Sequence, residues 1–506
     1  MRDGRRGRLL AAGLTAAVAV LAHAVAASAG TTYVNCEAVA PGADGSKRHP
    51  LTTLADASAE PLAPGAKLLL RRGTGCTGTL ALTGAGSKAR QALVGAYGRG
   101  RAPLIAAGSE DGVRLENVSH ATVEGLEIIN PGDGTGKRRG VHLIASGETA
   151  RDLTIRDLHI HDVGGNLDKD TGGSGGIQVD STGPGVGRFR GLVIEDNRIE
   201  DVSRSGIFVV GVAGGDRPRA SEPWPEASRG VRIRRNEIRR IAGDGIVALG
   251  TDGARVRRNL VRRGNRAGRG LADPRGMICN AGIWAFHANN TVIERNVVAG
   301  MKFNGCDGSG YDIDYDQDGT VVQFNESRGN EGGFMLLCTD DQPRTATVRF
   351  NLSVNDGFSF NSSPCSRPAG SYAGIEIYNN TIVGPDPGFA TLGYPSTTLY
   401  GPPGLDFFNN VLVATDAGRE IACDPGCRRN LFFRMPAAGI DPVTASPRFR
   451  GNGPYADDAP ARAFELRPRS PAIGAGAPIP AGARRDFFGD RIGQGGAPDI
   501  GFFQLR

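Results

Sequence analysis

One glycine-led segment recurs along the chain and limits what it can fold into. It reads Gly140-Val141-His142-Leu143, then Gly176-Ile177-Gln178-Val179-Asp180, Gly206-Ile207-Phe208-Val209, Gly245-Ile246-Val247-Ala248 and Gly282-Ile283-Trp284-Ala285. It continues as Gly310-Tyr311-Asp312-Ile313-Asp314-Tyr315-Asp316, Gly333-Phe334-Met335-Leu336 and Gly357-Phe358-Ser359-Phe360. In each, apolar positions alternate with variable ones, the pattern of a half-buried strand. The spacing runs from 23 residues (Gly310 to Gly333) to 39 (Gly206 to Gly245). A strand repeated at that period cannot bury its apolar face alone, so the units must stack as a solenoid.

A second signature sets the kind of solenoid. Asn197, Asn236, Asn259, Asn296, Asn325, Asn351, Asn380 and Asn410 each follow a short alternating segment such as Val231-Arg232-Ile233-Arg234-Arg235. Asparagine tolerates left-handed turns, and its amide can bond to the same amide one coil away. Asp157 is assigned to the same rung earlier in the chain. Two strands per unit, an Asn turn and a Gly-led strand predict an all-β, single-stranded parallel β-helix of about ten coils, right-handed by the crossover rule. A leucine-rich horseshoe fails, since no unit carries its leucine pattern or a helical segment. Glycine at 76 residues and aromatics at 6% suit short strands joined by tight turns.

Four divisions follow. Residues 1–29 read as a signal peptide: Arg2, Arg5, Arg6 and Arg8 precede an apolar stretch from Leu9 to Val25, and Ala27-Ser28-Ala29 is a small-residue cleavage site. Residues 30–109 are an N-terminal cap with the first coils, in which Pro50-Leu51-Thr52-Thr53-Leu54 starts a short helix over the open end. Residues 110–430 are the helix proper, and 431–506 a C-terminal capping segment. The predicted location is secreted or periplasmic, with no membrane span in the mature chain and a monomeric state.

Residues 1–29 account for +3 of the formal charge of +6, and the remaining +3 is too mild for a nucleic-acid partner. Eight cysteines in an exported chain predict disulfides, in the sequential pairs Cys36/Cys76, Cys279/Cys306, Cys338/Cys365 and Cys423/Cys427.

The chain resembles the pectin-lyase-like superfamily of secreted carbohydrate-active β-helix proteins. The likeness rests on the Tyr33-to-Ile105 region, the repeats, and a tail running from Phe464-Glu465-Leu466 through Ser470-Pro471-Ala472-Ile473 to Asp486-Phe487-Phe488-Gly489 and Ala497-Pro498-Asp499-Ile500-Gly501. It implies a polysaccharide or oligosaccharide substrate, while the fold itself hosts lyases, hydrolases, epimerases and adhesins. The complete motif set of polygalacturonases is missing, as are the signatures of classical pectate lyases.

Stacking the Gly-led strands gives two outward rows. One reads His142, Gln178, Phe208, Val247, Trp284, Asp312, Met335, Ser359, and the other Ile144, Asp180, Val210, Leu249, Phe286, Asp314, Leu337, Asn361. Asp312 and Asp314 thereby share a face, with Trp284 and Phe286 one coil, about 4.8 Å, away. Facing carboxylates repel, so one can stay protonated as acid while the other serves as base in glycosidic cleavage. His287, Glu331 and Lys302 are further acid or base candidates, Lys302 as the base of a lyase. Trp284, Phe286, Asp180, Gln178, His142 and Trp224 are candidate sugar contacts. Asp312, Asp314 and Asp316 also form a candidate ligand set for calcium, the one cofactor in view; a solvated acidic strand is the bland alternative. Insertions at about 164–175, 211–228 and 263–281 should wall a groove over this face. Arginines from Arg232 to Arg263 crowd a different face, as a solvated surface by default.

Overall fold

The computed structural model describes residues 30–39, 41–169, 171–183, 187–266, 279–304, 307–338, 344–357, 360–361, 372–385, 387, 389–390, 404–416, 426–493 and 496–505. The repeats stack as a parallel β-helix with, among the described residues, three long sheets of 14, 11 and 14 strands and a shorter one of six. A coil therefore carries three strands, the two flanking the Asn turn and the Gly-led one, and in the middle of the solenoid a fourth that was not expected. One full coil runs Leu153–Arg156, His159–Val163, Gly175–Thr182 and Arg188–Arg190. The extra strand is short and polar, so it left no apolar alternation to read. The first coils lie within residues 30–109: Thr31–Val34, Lys67–Arg71 and Ala92–Tyr97 are consecutive strands of one 14-stranded sheet.

The 11-stranded sheet carries the Gly-led segments. Val141, Ile177, Ile207, Ile246, Ile283, Tyr311 and Met335 lie in register along it. All seven are fully buried in the interior, each contributing about 1.5–3 kcal/mol by leaving water. The glycine has a steric cause. A Cβ on Gly176 would lie 2.5 Å from Ile199 Cγ2 and 2.7 Å from the carbonyl oxygen of Gly206. Any side chain there would collide with the core and the next coil.

The asparagines form a buried ladder. Asn236 Nδ2 donates to Asn259 Oδ1 at 2.9 Å, Asn259 to Asn296 at 3.0 Å and Asn296 to Asn325 at 3.0 Å. It runs on through Asn351, Asn380 and Asn410 to Asn430, a rung the sequence reading did not include. The left-handed residue is the one before each asparagine: Asp196, Arg235, Arg258, Arg295, Phe324 and Phe350 all have φ between 51° and 60°. Asp157 is likewise the left-handed residue (φ 51°). The rung assigned to it belongs to Leu158, whose N–H donates to Asn197 Oδ1 at 3.1 Å.

At the N-terminal end the helix Leu54–Ser58 is capped by Thr53, whose hydroxyl accepts from Asp56 N at 3.0 Å. Leu54 and Ala57 are buried against the first coils. Cys36 and Cys76 form a disulfide, and Cys279, Cys338 and Cys427 are disulfide-bonded too. Cys306, Cys365 and Cys423 lie outside the described residues, as do the signal-peptide reading of 1–29 and most of the 263–281 insertion. The tail does more than close the end. Phe464, Leu466, Ile500 and Phe502 pack on Leu352, Val354, Val411 and Leu431, which belong to the other 14-stranded sheet. Among the described residues no helix is long and apolar enough to cross a membrane.

Candidate active site

Tyr311 and Ile313 point into the core, and the Tyr311 hydroxyl donates to the carbonyl oxygens of Asn296 (3.1 Å) and Glu326 (2.9 Å). Strand alternation then forces Asp312 outward. The register pairs His142 with Gln178, Gln178 with Phe208, Phe208 with Val247, Val247 with Trp284 and Trp284 with Asp312. Beyond Asp312 the expected rows slip. Tyr311 pairs with Met335 and Asp312 with Leu336, so Met335 and Leu337 face the core and Leu336 continues the outward row, with Asn361 next to it in the register. Anchoring on Gly333 caused the error, because the strand begins one residue later than its glycine implies. Ser359 lies outside the described residues.

Asp312 is 4% exposed despite facing outward, and its Oδ1 has no hydrogen-bond partner among the described residues. Burial, then the charges of Asp314 and Asp307, push its carboxyl far above the ordinary range. Asp314 is half-buried just past the strand, with Oδ1 accepting from Tyr315 N at 2.8 Å. Desolvation raises it to about 7 against that bond and the nearby Lys169 and Arg344. Asp307 is buried, accepts from Ser309 N at 2.9 Å, and is also raised by burial to about 7. The site is thus a trio of carboxyls, of which the sequence supplied two.

Around the trio, Asp244 is fully buried and holds Trp284. Its Oδ1 accepts from Trp284 Nε1 and Ala281 N, both at 3.0 Å, while Lys169 Nζ lies 3.3 Å and Arg204 Nη2 3.5 Å from Oδ2. Lys169 also sits 4.5 Å over the indole ring and donates to the carbonyl oxygen of Cys279 at 2.9 Å. Arg344 Nη1 donates to the carbonyl oxygen of Asp314 at 2.6 Å. Phe208, Val210, Val247 and Trp284, with Leu249 and Phe286, make an apolar floor over the coils preceding Asp312. The 164–175 insertion therefore walls this face as expected, and Lys169 is its contribution.

The other candidates go elsewhere. Asp316, of the alternative calcium set Asp312, Asp314 and Asp316, turns to His287 Nδ1 (2.5 Å) and Arg217 Nε (2.9 Å). His287 serves Asp316 and meets the edge of Trp224. Trp224 is 3% exposed beneath its own loop with Val212 and Ala227, which makes it an anchor and not an open sugar platform. His142, Gln178 and Asp180 are closed on one another: His142 Nε2 is 2.8 Å from Asp180 Oδ2, and Gln178 Nε2 donates to Asp180 Oδ1 at 2.8 Å. Asp111 takes the other His142 nitrogen and Gly172 N–H covers Asp180, leaving all three buried. Lys302 and Glu331 form an exposed ion pair with each other, so neither is presented to the trio. Several surface arginines pair with acids one coil earlier, as in Arg235 with Asp196 at 2.6 Å and Arg240 with Asp201 at 2.6 Å, while Arg257 pairs with Glu294 one coil later.

Sequence reasoning missed Asp307, Asp244, Lys169 and Arg344. Asp244 and Asp307 had a signal, since each lies just before a Gly-led strand in Gly243-Asp244-Gly245 and Asp307-Gly308-Ser309-Gly310. Lys169, 110 residues from its partner Cys279, had none.

The raised carboxyls make stability fall with pH. In the fold Asp307 and Asp314 favour the protonated form, so the stability they contribute is present below about 4 and lost as pH rises towards about 7. The melting temperature is expected to drop between pH 5 and 8. His142 and His161, also raised, act in the same direction. The smaller drop expected for Asp312→Asn, measured by calorimetry, isolates the trio; an unchanged drop would mean that its carboxyls are not raised.

A family model described as a right-handed beta helix region matches residues 105–401. The lacto-N-biosidase of Bifidobacterium longum subsp. longum is 33% identical over 105 residues, 20% of this chain. That match spans 6% of the relative's own length. Among solved structures, the GH136 lacto-N-biosidase from Eubacterium ramulus superposes with a TM-score of 0.61 at 24% identity, over 78% of this chain and 68% of that one. XylC with xylose gives 0.54 at 13% identity, over 94% and 98%. At these identities the superpositions speak for the fold.

Proposed function

Since the chain belongs to the right-handed β-helix family, a fold that carries sites without dictating their chemistry, we propose from its own residues that it is a glycoside hydrolase. The bond is cleaved at the Asp307–Asp312–Asp314 trio. The observation that carries this reading is Asp312, outward in the sheet yet buried, with an Oδ1 that has no partner among the described residues and with Asp314 and Asp307 close enough to raise its carboxyl by their charge. Neighbouring carboxyls raised by burial and by one another's charge can hold one group protonated while another ionises. Glycosidic cleavage asks for that pairing, one group protonating the leaving oxygen and another serving as nucleophile or base. Asp314 is the most open of the three and meets the bond; Asp312 and Asp307 share the remaining proton behind it. Leu249 and Phe286, the half-buried members of the apolar floor, take the sugar ring faces, while Asp244 holds Trp284 in place beneath Lys169.

Two relatives bear the name lacto-N-biosidase, so an oligosaccharide cleaved by that activity is the first substrate to try. The test adds a panel of neutral and acidic polysaccharides and follows reducing ends and ultraviolet absorbance together. New reducing ends without absorbance are expected. Absorbance rising with them would mean β-elimination and replace the hydrolase by a lyase. Binding with no product on any substrate would overturn catalysis altogether.

A further inference from the structure

The 14-stranded sheet that contains Glu127–Asn130, His159–Val163 and Arg198–Val202 is a different sheet from the one bearing Asp312. His159 and His161 alternate on one strand and so project from the same face, their rings stacked at 4.2 Å between centroids with 29° between planes. Glu127, on the preceding coil, lies opposite His159 in the register and reaches diagonally to His161, Oε1 to Nε2 at 3.1 Å. One ligand atom from each of Glu127, His159 and His161 can be chosen so that all lie within 4.8 Å of one another.

We propose that Glu127, His159 and His161 bind a single zinc ion on the flank of the solenoid.

Two imidazoles and one carboxylate are a borderline, nitrogen-rich donor set, suited to zinc and poor for calcium or magnesium, which take oxygen ligands. Ligands about 2.0–2.1 Å from a tetrahedral zinc are about 3.3 Å apart. The Glu127–His161 contact is already at that separation, so a small closure by His159 completes the set. The fourth position falls to water. A second carboxylate sits where metal-bound histidines usually have one. Asp162 Oδ2 is 2.7 Å from His161 Nδ1, which keeps a proton on Nδ1 and so leaves Nε2 as the nitrogen that gives up its proton to bind metal. The backbone helps: Asp162 adopts φ 50°, at the register shift between His161 and Val163. The site is open to solvent, since His161, Glu127 and His159 side chains are 20%, 28% and 35% exposed, and only the His159 ring has to turn. Glu200 stays outside the set. Its carboxylate is 2.7 Å from Arg198 Nη2 and 2.8 Å from Arg240 Nη2, and it orients His159 through Nε2 at 2.9 Å until the ring turns to metal. On binding, zinc takes the place of the proton held between His161 Nε2 and Glu127 Oε1, and that proton goes to solvent.

Chelator-treated full-length protein titrated with zinc chloride in a calorimeter should take up one equivalent, with proton release visible as a buffer-dependent heat. Glu127→Gln, which keeps the shape of the side chain, and His159→Ala/His161→Ala should each lose that equivalent. Asp162→Asn should weaken it by about 10–100-fold, as orienting carboxylates do. Melting temperatures without zinc check that the variants fold. Equal uptake by wild type and the double His variant would overturn the site, as would no uptake by wild type at micromolar zinc. Glycan cleavage is read separately and fails or succeeds independently, because the two sites lie on different sheets.

Discussion

Asp314→Asn and Asp312→Asn should each lower glycan turnover by on the order of 10²–10⁴-fold with the fold intact. Asparagine keeps the size of aspartate but can neither donate an acidic proton nor accept one at the reacting bond. Asp312 is 4% exposed with an Oδ1 that has no partner among the described residues, so the neutral amide also relieves the desolvation that raises its carboxyl. Activity falls while stability above pH 7 holds or improves, which separates a catalytic loss from unfolding. Asp307→Asn belongs in the same set, because its carboxyl is raised to about 7 by the same burial. Initial rates and melting temperatures at pH 5 and pH 8 decide the matter. Wild-type rates in all three variants would remove the trio from the mechanism.

The second large effect is on the ladder. Asn325→Ala should destabilise the protein by about 3–5 kcal/mol, several orphaned groups at about 1–3 kcal/mol each after partial relaxation. Asn325 is fully buried and serves both neighbours at once. Its Oδ1 accepts from Asn296 N at 2.9 Å and Asn296 Nδ2 at 3.0 Å. Its own Nδ2 donates to the carbonyl oxygen of Ile293 at 2.9 Å and to Asn351 Oδ1 at 3.0 Å. Alanine leaves these groups unpaired with no water to replace the partner. A loss of that size is a large share of the roughly 5–15 kcal/mol by which proteins of this kind are stable. Urea unfolding measures it. A cost under about 1 kcal/mol would show that the rung relaxes or admits water.

Much of this architecture could be read from the chain because a stacked repeat ties neighbours in space to neighbours in sequence. The alternation in Gly310-Tyr311-Asp312-Ile313 already put Tyr311 and Ile313 inside and Asp312 out. The recurring asparagines announced a ladder of amides, and the ladder is there. The same local logic misled where the period wavers. After Gly333 one residue of offset exchanged the inward and outward sets, because a strand's side chains change face at every step.

The sequence alone therefore determined the solenoid, its core-facing positions, the glycine at the inner corner and the outward placing of Asp312 and Trp284. Tertiary structure alone decided which outward groups work together. Lys169 reaches Trp284 from a loop several coils earlier, and Asp244 meets the indole nitrogen from the neighbouring coil. His142 and Asp180, outward like Asp312, close on each other instead. The raised carboxyls depend on burial by those loops, and burial is a sum over distant segments that no local pattern records.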